Sequence, residues 1–186
     1  MVERHGEALR ANDDWYVEPA WVVDSLYKQI ALEGKIHDPC AGIGTIPDRF
    51  RELGFETSGA DKIDRGKNLP VRDFFFDENI YDNIVTNPPY KSAMGIIHHG
   101  LARVRTGGLI CALVNLKFLS SQQRYKNFTG FELESVVVLS RRPSIPPGKF
   151  LESFGESARG GGSIDFAWVV FRAGGRRKAP TIHWSL

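Results

Sequence analysis

The chain has 186 residues, 42% apolar and 25% charged, which is ordinary for a globular domain with enough length to bury a sizeable core. A net charge of +2 is too small to argue by itself for a polyanionic partner, and no apolar run reaches the ~20 residues of a membrane span. Cys40 and Cys111 lack metal-ligand spacing and read as reduced thiols of a cytoplasmic protein, and Met1-Val-Glu-Arg-His is not a secretory leader.

Residues 1–14 are polar and are expected to fray, leaving one domain over 15–172 and a Gly- and Arg-rich tail over 173–186. Pro19 suits the first turn of a helix, and Val22, Val23, Leu26 and Ile30 recur at helical spacing, so Pro19 to about Leu32 reads as an amphipathic helix closed by Gly34. Lys35–Asp38 is a short strand. It runs into Pro39-Cys40-Ala41-Gly42-Ile43-Gly44-Thr45 and then a helix over roughly Ile46–Leu53. Strand, Gly-x-Gly turn and helix open a nucleotide-binding unit, in which glycines let backbone approach a ligand and the helix start favours a negative group. A second strand, Glu56–Ala60, ends at Asp61, seventeen residues beyond Gly44 and near the spacing at which an acid holds ribose hydroxyls.

Asp73 precedes Phe74-Phe75-Phe76, which read as core or pocket wall, because three exposed phenylalanines in a row make an apolar patch. Tyr81–Thr86 is a buried strand, stopped abruptly by Asn87-Pro88-Pro89-Tyr90. A helix follows through Met94, Ile97, Leu101 and Val104 to Gly107. Leu109–Val114 is a strand buried on both faces, Ser120 caps a helix through Phe128, and Ser135–Leu139 and Ile164–Phe171 are further strands. These six strands with helices between most of them fit a doubly wound α/β sheet, for which about seven strands are expected.

The Asn-Pro-Pro-Tyr turn holds one amide and one aromatic ring at the end of a sheet strand, the edge where open α/β sheets bind ligands. The Asn87 side-chain oxygen and the Pro88 carbonyl can both accept hydrogen bonds from an NH2 while Tyr90 stacks on a flat ring. Such a pair of acceptors draws the amine out of its ring plane and localises its lone pair.

With these residues quoted, the chain over about residues 15 to 172 resembles the class I S-adenosylmethionine-dependent amino-methyltransferases, and among them the small adenine-N6 DNA methyltransferases of phage and prophage type. Asp38-Pro-Cys-Ala-Gly-Ile-Gly-Thr45 resembles the family's first cofactor motif. Trp15-Tyr16-Val17-Glu18-Pro19 resembles its aromatic-x-Thr-Pro segment, with Glu18 where the family carries Thr. Asn87-Pro88-Pro89-Tyr90 resembles the catalytic motif, placed after the cofactor motif as in the family's γ-like arrangement, and Asp165–Phe171 resembles a late strand of the phage enzymes.

The resemblance implies a Rossmann-like sheet, mostly parallel with an antiparallel last strand, and S-adenosyl-L-methionine as cofactor. Its contacts would be Tyr16, Pro19, Asp38, Pro39, Cys40, Ala41, Gly42, Gly44, Asp61, Lys62, Asp73, Phe74 and Asn87. Asn87, Pro88, Pro89 and Tyr90 would serve catalysis on a flipped-out base. Tyr90, Lys91, Arg141, Arg142, Lys149 and Phe150 would touch nucleic acid, DNA above all. The basic segment Ser140–Ser163, with Arg159, is expected at the active-site edge as a phosphate grip. No separate target-recognition domain is expected, so a partner protein or a homodimer would supply recognition.

Two alternatives stand beside this reading. The same tetrapeptide serves enzymes acting on RNA adenine or on a protein glutamine amide, where an amide nitrogen needs the same lone-pair localisation. A non-catalytic, nucleic-acid-binding subunit of the same fold is the second.

Overall fold

The computed structural model describes residues 15–120, 122, 124, 125, 128, 133–148, 162–175 and 179–186. Lys149, Phe150 and Arg159 lie outside them. Helix α1 is Ala20–Tyr27, α2 is Thr45–Glu52 and α3 is Ala93–Leu101. The strands are β1 Ile36–Asp38, β2 Thr57–Gly59, β3 Asn83–Thr86, β4 Leu109–Asn115, β5 Leu133–Leu139, β6 Phe166–Arg172 and β7 Thr181–Ser185. They form one seven-stranded sheet in the order β2-β1-β3-β4-β6-β5-β7.

The sheet divides the core into two apolar layers, because successive side chains of a strand point to opposite faces. On β4, Leu109, Cys111 and Leu113 join Val22, Val23, Leu26 and Phe50 from α1 and α2. Ile110, Ala112 and Val114 face the other way, onto Ile96 and Ile97 of α3. Strand β6 repeats the division, with Trp168 and Val170 on the first layer and Val169 and Phe171 on the second. Trp168 is fully buried, and its indole N–H donates to the Val22 carbonyl at 3.0 Å, pinning α1 to the sheet. β-strands buried on both faces explain the unbroken apolar runs of β4 and β6.

Only β6 runs against its neighbours. It is antiparallel to both β4 and β5, while β1, β2, β3 and β4 pair in parallel and β7 is parallel to β5. The antiparallel strand is therefore the expected one, but it is not the last. Residues read as a polar tail supply β7, which covers the free edge of β5; Ser135 and Thr181 hydroxyls meet at 2.7 Å across the pair. Thr181-Ile182-His183-Trp184-Ser185 does alternate polar and apolar residues, but the run is only five residues long, follows a Gly- and Arg-rich segment, and points its apolar side chains Ile182 and Trp184 (67% exposed) outward.

Helix α1 is also shorter than its apolar spacing suggests. It stops at Tyr27, and a closing turn from Ile30 N–H to Leu26 O keeps Ile30 and Leu32 buried outside the helix. In 120–128, the described residues Gln122, Arg124, Tyr125 and Phe128 are helical, as expected. Among the described residues no helix is long and apolar enough to cross a membrane.

The chain leaves β1 to form β2 on one side and returns to form β3 on the other. That reversal opens a crevice at the carboxyl ends of β1 and β3, where Asp38 and Asn87 stand.

Candidate active site

A cavity of about 240 Å³ opens in this crevice. Four strand-end loops and the N-terminal segment line it: Pro39 and Cys40 after β1, Asp61, Lys62, Ile63 and Arg65 after β2, Asp73, Phe74 and Phe75 before β3, Asn87, Pro88 and Pro89 after it, with Trp15 and Tyr16 across the mouth. Ser92 and Ile96 of the α3 region complete the wall.

The loop after β1 is held from within. The Asp38 carboxylate is buried (2% exposed) and accepts the Cys40 N–H at 3.0 Å, as an Asx turn does. Burial pushes its carboxyl well above the usual range, and the nearby charges of Glu18 and Asp61 push it the same way. The Cys40 thiol is raised as well, chiefly by burial, so it rests as the neutral thiol. Gly44 caps α2 at φ 90°, a left-handed conformation that glycine adopts freely. Gly42, at φ 55°, is left-handed too and has a second reason to lack a side chain. A Cβ there would sit 2.6 Å from the Trp15 indole nitrogen, so the close approach it permits is to Trp15.

Asp61 staples two loops. One carboxylate oxygen accepts the Gly42 N–H and the other the Ile63 N–H, each at 2.9 Å, and the Arg65 guanidinium lies 3.8 Å away. A bridge between Asp61 and Val71 carries the chain on to Asp73 at the cavity wall. There Lys62 and Asp73, both expected at the site, pair with each other at 2.7 Å. The Lys62 ammonium is the main reason the Asp73 carboxyl is held below its ordinary range. Asp73 also caps the 3-10 turn Phe74–Phe76 by accepting the Phe75 N–H.

Three residues per turn send those three rings in three directions. Phe74 is buried, Phe75 lines the cavity, and Phe76 is 84% exposed, so the reading of all three as core or wall fails at the last.

Asn87 is fixed by the N-terminal segment. Its amide nitrogen donates to the Glu18 carboxylate at 2.7 Å and to the Tyr16 carbonyl at 3.1 Å. With the NH2 spent on that side, the amide oxygen faces the other way. The Tyr16 ring stacks on Tyr90 at 5.2 Å, and Tyr90 also meets Phe166 at 6.3 Å. Tyr16, not Tyr90, lines the cavity. The segment is itself anchored by the 140–163 connection: Val17 N–H donates to Pro146 O and Gly148 N–H to Trp15 O. The described part of that connection thus reaches the site edge, as expected.

Of the remaining expected residues, Ala41 is buried behind the loop, Pro19 starts α1, and Lys91 is exposed after the turn. None of the three lines the cavity, nor do Arg141 and Arg142. The Arg141 guanidinium lies over the Trp21 ring at 5.1 Å, and Arg142 is paired with Asp165 at 2.6 Å. Trp15, Arg65, Ile63, Ser92 and Ile96 at the cavity, and Glu18 behind Asn87, are contributors that residue patterns did not mark as site residues. The Arg65 guanidinium lies 4.1 Å over the Trp15 ring, a contact between residues fifty positions apart that no local spacing announces.

No family model matches the sequence, and no curated protein matches it. Solved structures do share the fold. A Listeria monocytogenes protein assigned to the class I S-adenosylmethionine-dependent methyltransferases superposes with a TM-score of 0.56 at 12% identity, over 99% of this chain and 68% of that one. A Pyrococcus horikoshii protein assigned to the RNA methyltransferases gives 0.62 at 15% identity, over 90% and 92%. The M protein of the type I restriction enzyme EcoKI gives 0.57 at 13% identity, over 94% of this chain and 49% of that one, so the present chain spans about half its length. The chain has the class I methyltransferase fold.

Proposed function

We propose that this chain is an S-adenosylmethionine-dependent N-methyltransferase, and that its acceptor is the exocyclic N6 amine of adenine in DNA. The observation that carries the reading is the orientation of Asn87, whose NH2 is tied to Glu18 and Tyr16 at the wall of the cavity, leaving its oxygen as an acceptor. The methyltransferase fold and its nucleic-acid-modifying neighbours support it.

The residues present fit the cofactor. The Trp15 indole nitrogen is buried at the cavity without a hydrogen-bond partner, a donor suited to a carboxylate. Asp61 suits a sugar diol, and Phe74 and Phe75 suit a flat ring, while Asp38 and Glu18 are buried and outside the cavity lining. Bound there, the cofactor supplies a methyl on a positively charged sulfur, electrophilic enough that alignment replaces strong acid or base catalysis.

The chain's own groups then act on the acceptor. Asn87 Oδ1 and the Pro88 carbonyl accept the two amine N–H bonds and pull the nitrogen lone pair out of conjugation. Pro88 and Pro89 keep both acceptors on a stiff backbone, and Pro89 O closes the turn by accepting the Ser92 N–H at 3.0 Å. The amine sheds its surplus proton to solvent after it gains the methyl. A neutral amide therefore suffices at position 87.

Transfer of a labelled methyl to DNA, RNA and protein in parallel, followed by nucleoside and amino-acid analysis, tests this. N6-methyladenine from the DNA digest is the expected product. Label confined to RNA or to glutamine would move the substrate to that class, and no transfer to any of them would overturn the enzymatic reading.

A further inference from the structure

Asn87 belongs to the turn that the sequence marks, but the residue that orients it comes from elsewhere in the chain. We propose that Glu18 is a positioning residue, which holds the Asn87 amide in the orientation that presents an acceptor and not a donor to the amine. The proposal rests on the N-methyltransferase reading of the site.

A carboxamide is nearly symmetric in shape, so packing alone does not choose which end faces a ligand. Hydrogen bonding chooses it here. Glu18 is buried (7% exposed) and Glu18 Oε2 accepts from Asn87 Nδ2 at 2.7 Å, with the Tyr16 carbonyl as a second acceptor on the same side. A charged acceptor binds an N–H about twice as strongly as a neutral one, so the carboxylate dominates that choice. The protonated acid weakens it, leaving the Tyr16 carbonyl as the one remaining acceptor-only partner. Its O–H can donate to the amide oxygen, so that Asn87 can turn round and offer an NH2 to a substrate that itself carries only donors at the reacting nitrogen.

Burial pushes the Glu18 carboxyl up to about 7, against the opposing hydrogen bond from Asn87. The acid at the end of β1, Asp38, feels the charges of Glu18 and of Asp61 after β2. The amide neighbour of Glu18 is Asn87 after β3. Burial is what makes ionisation of Glu18 hard, so the acceptor orientation is weakened on acidification through neutrality.

The test uses the whole chain and two readouts. The first is the Asn87 side-chain amide signal in 15N NMR, assigned by its loss in Asn87→Ala. It should shift with a midpoint near neutral pH in the wild type and stay flat in Glu18→Gln. The second is kcat against pH. The wild type should lose rate below neutrality. Glu18→Gln, neutral and carrying one acceptor and one donor like the protonated acid, should hold across the range the reduced rate that the wild type reaches in acid, and Glu18→Ala should drop kcat about tenfold, the scale of one charge-assisted hydrogen bond, each with little change in cofactor affinity. An Asn87 signal that does not titrate, a Glu18→Gln variant that keeps the full high-pH rate, or weakened cofactor binding in either variant would overturn the positioning role. Because the NMR arm needs no substrate, absence of methyl transfer by the wild type would count against the function alone.

Discussion

The Tyr16 and Tyr90 rings lie 5.2 Å apart with planes inclined by 22°, so the aromatic of the Asn-Pro-Pro-Tyr turn has one face already covered by the N-terminal segment. A base received by Tyr90 must therefore use its other face or meet Tyr16 at the cavity wall. The pair works as one platform. Tyr90→Phe should be mild, because the hydroxyl takes no part in stacking. Tyr90→Ala and Tyr16→Ala should each cost methyl transfer on the order of 1–3 kcal/mol, and the double variant little more than either. Additive losses in the transfer assay would mean that the two rings act separately.

Asp61 carries a structural duty beside the binding one proposed for it. Asp61→Ala would strip the acceptor from the Gly42 and Ile63 N–H groups at once and leave any bound diol unpaired. Cofactor affinity by calorimetry should weaken by about 1–3 kcal/mol, accompanied by a lower melting temperature. Unchanged affinity in a destabilised variant would reduce Asp61 to a loop staple.

His37 gives the fold an acid limit. Its ring stacks on Tyr81 at 3.9 Å, its Nδ1 meets the Ser58 hydroxyl at 2.8 Å, and burial lowers its ionisation to about 4 from an ordinary 6.5. The unfolded chain takes up the proton first as pH falls. Stability should thus be full above 6.5, decline as pH drops toward 4, and level off below, a loss of about 3 kcal/mol attributable to this residue. Denaturant unfolding of His37→Phe across that range should show a flatter slope, and an unchanged slope would assign the acid sensitivity to other groups.

The two motif turns were legible because their chemistry is local. Two prolines stop β3 wherever it packs, and Gly44 meets the left-handed cap of α2 from its own backbone. The buried runs of β4 and β6 likewise announced themselves. What stayed hidden depends on contacts across the sheet. Glu18 reads as one more charged residue until the fold sets it against Asn87, sixty-nine positions on. Gly42 reads as a ligand-facing glycine until Trp15 is seen to occupy the space beside it. Arg142 reads as a phosphate contact until Asp165 takes its charge. β7 gave only a short signal, five alternating residues whose apolar members Ile182 and Trp184 are exposed, so nothing in the sequence tied them to a core.

Asn87→Ala addresses the chemistry with the least collateral damage, since Pro88, Pro89 and β3 hold the turn without it. Single-turnover methyl transfer to the best acceptor, measured beside cofactor affinity, is the decisive comparison. The variant should bind cofactor as the wild type does and lose roughly 2–4 kcal/mol of barrier stabilisation, the scale of removing one pre-set hydrogen-bonding group from a transition state. Near-normal transfer by Asn87→Ala would contradict the assignment of this site to amine methylation.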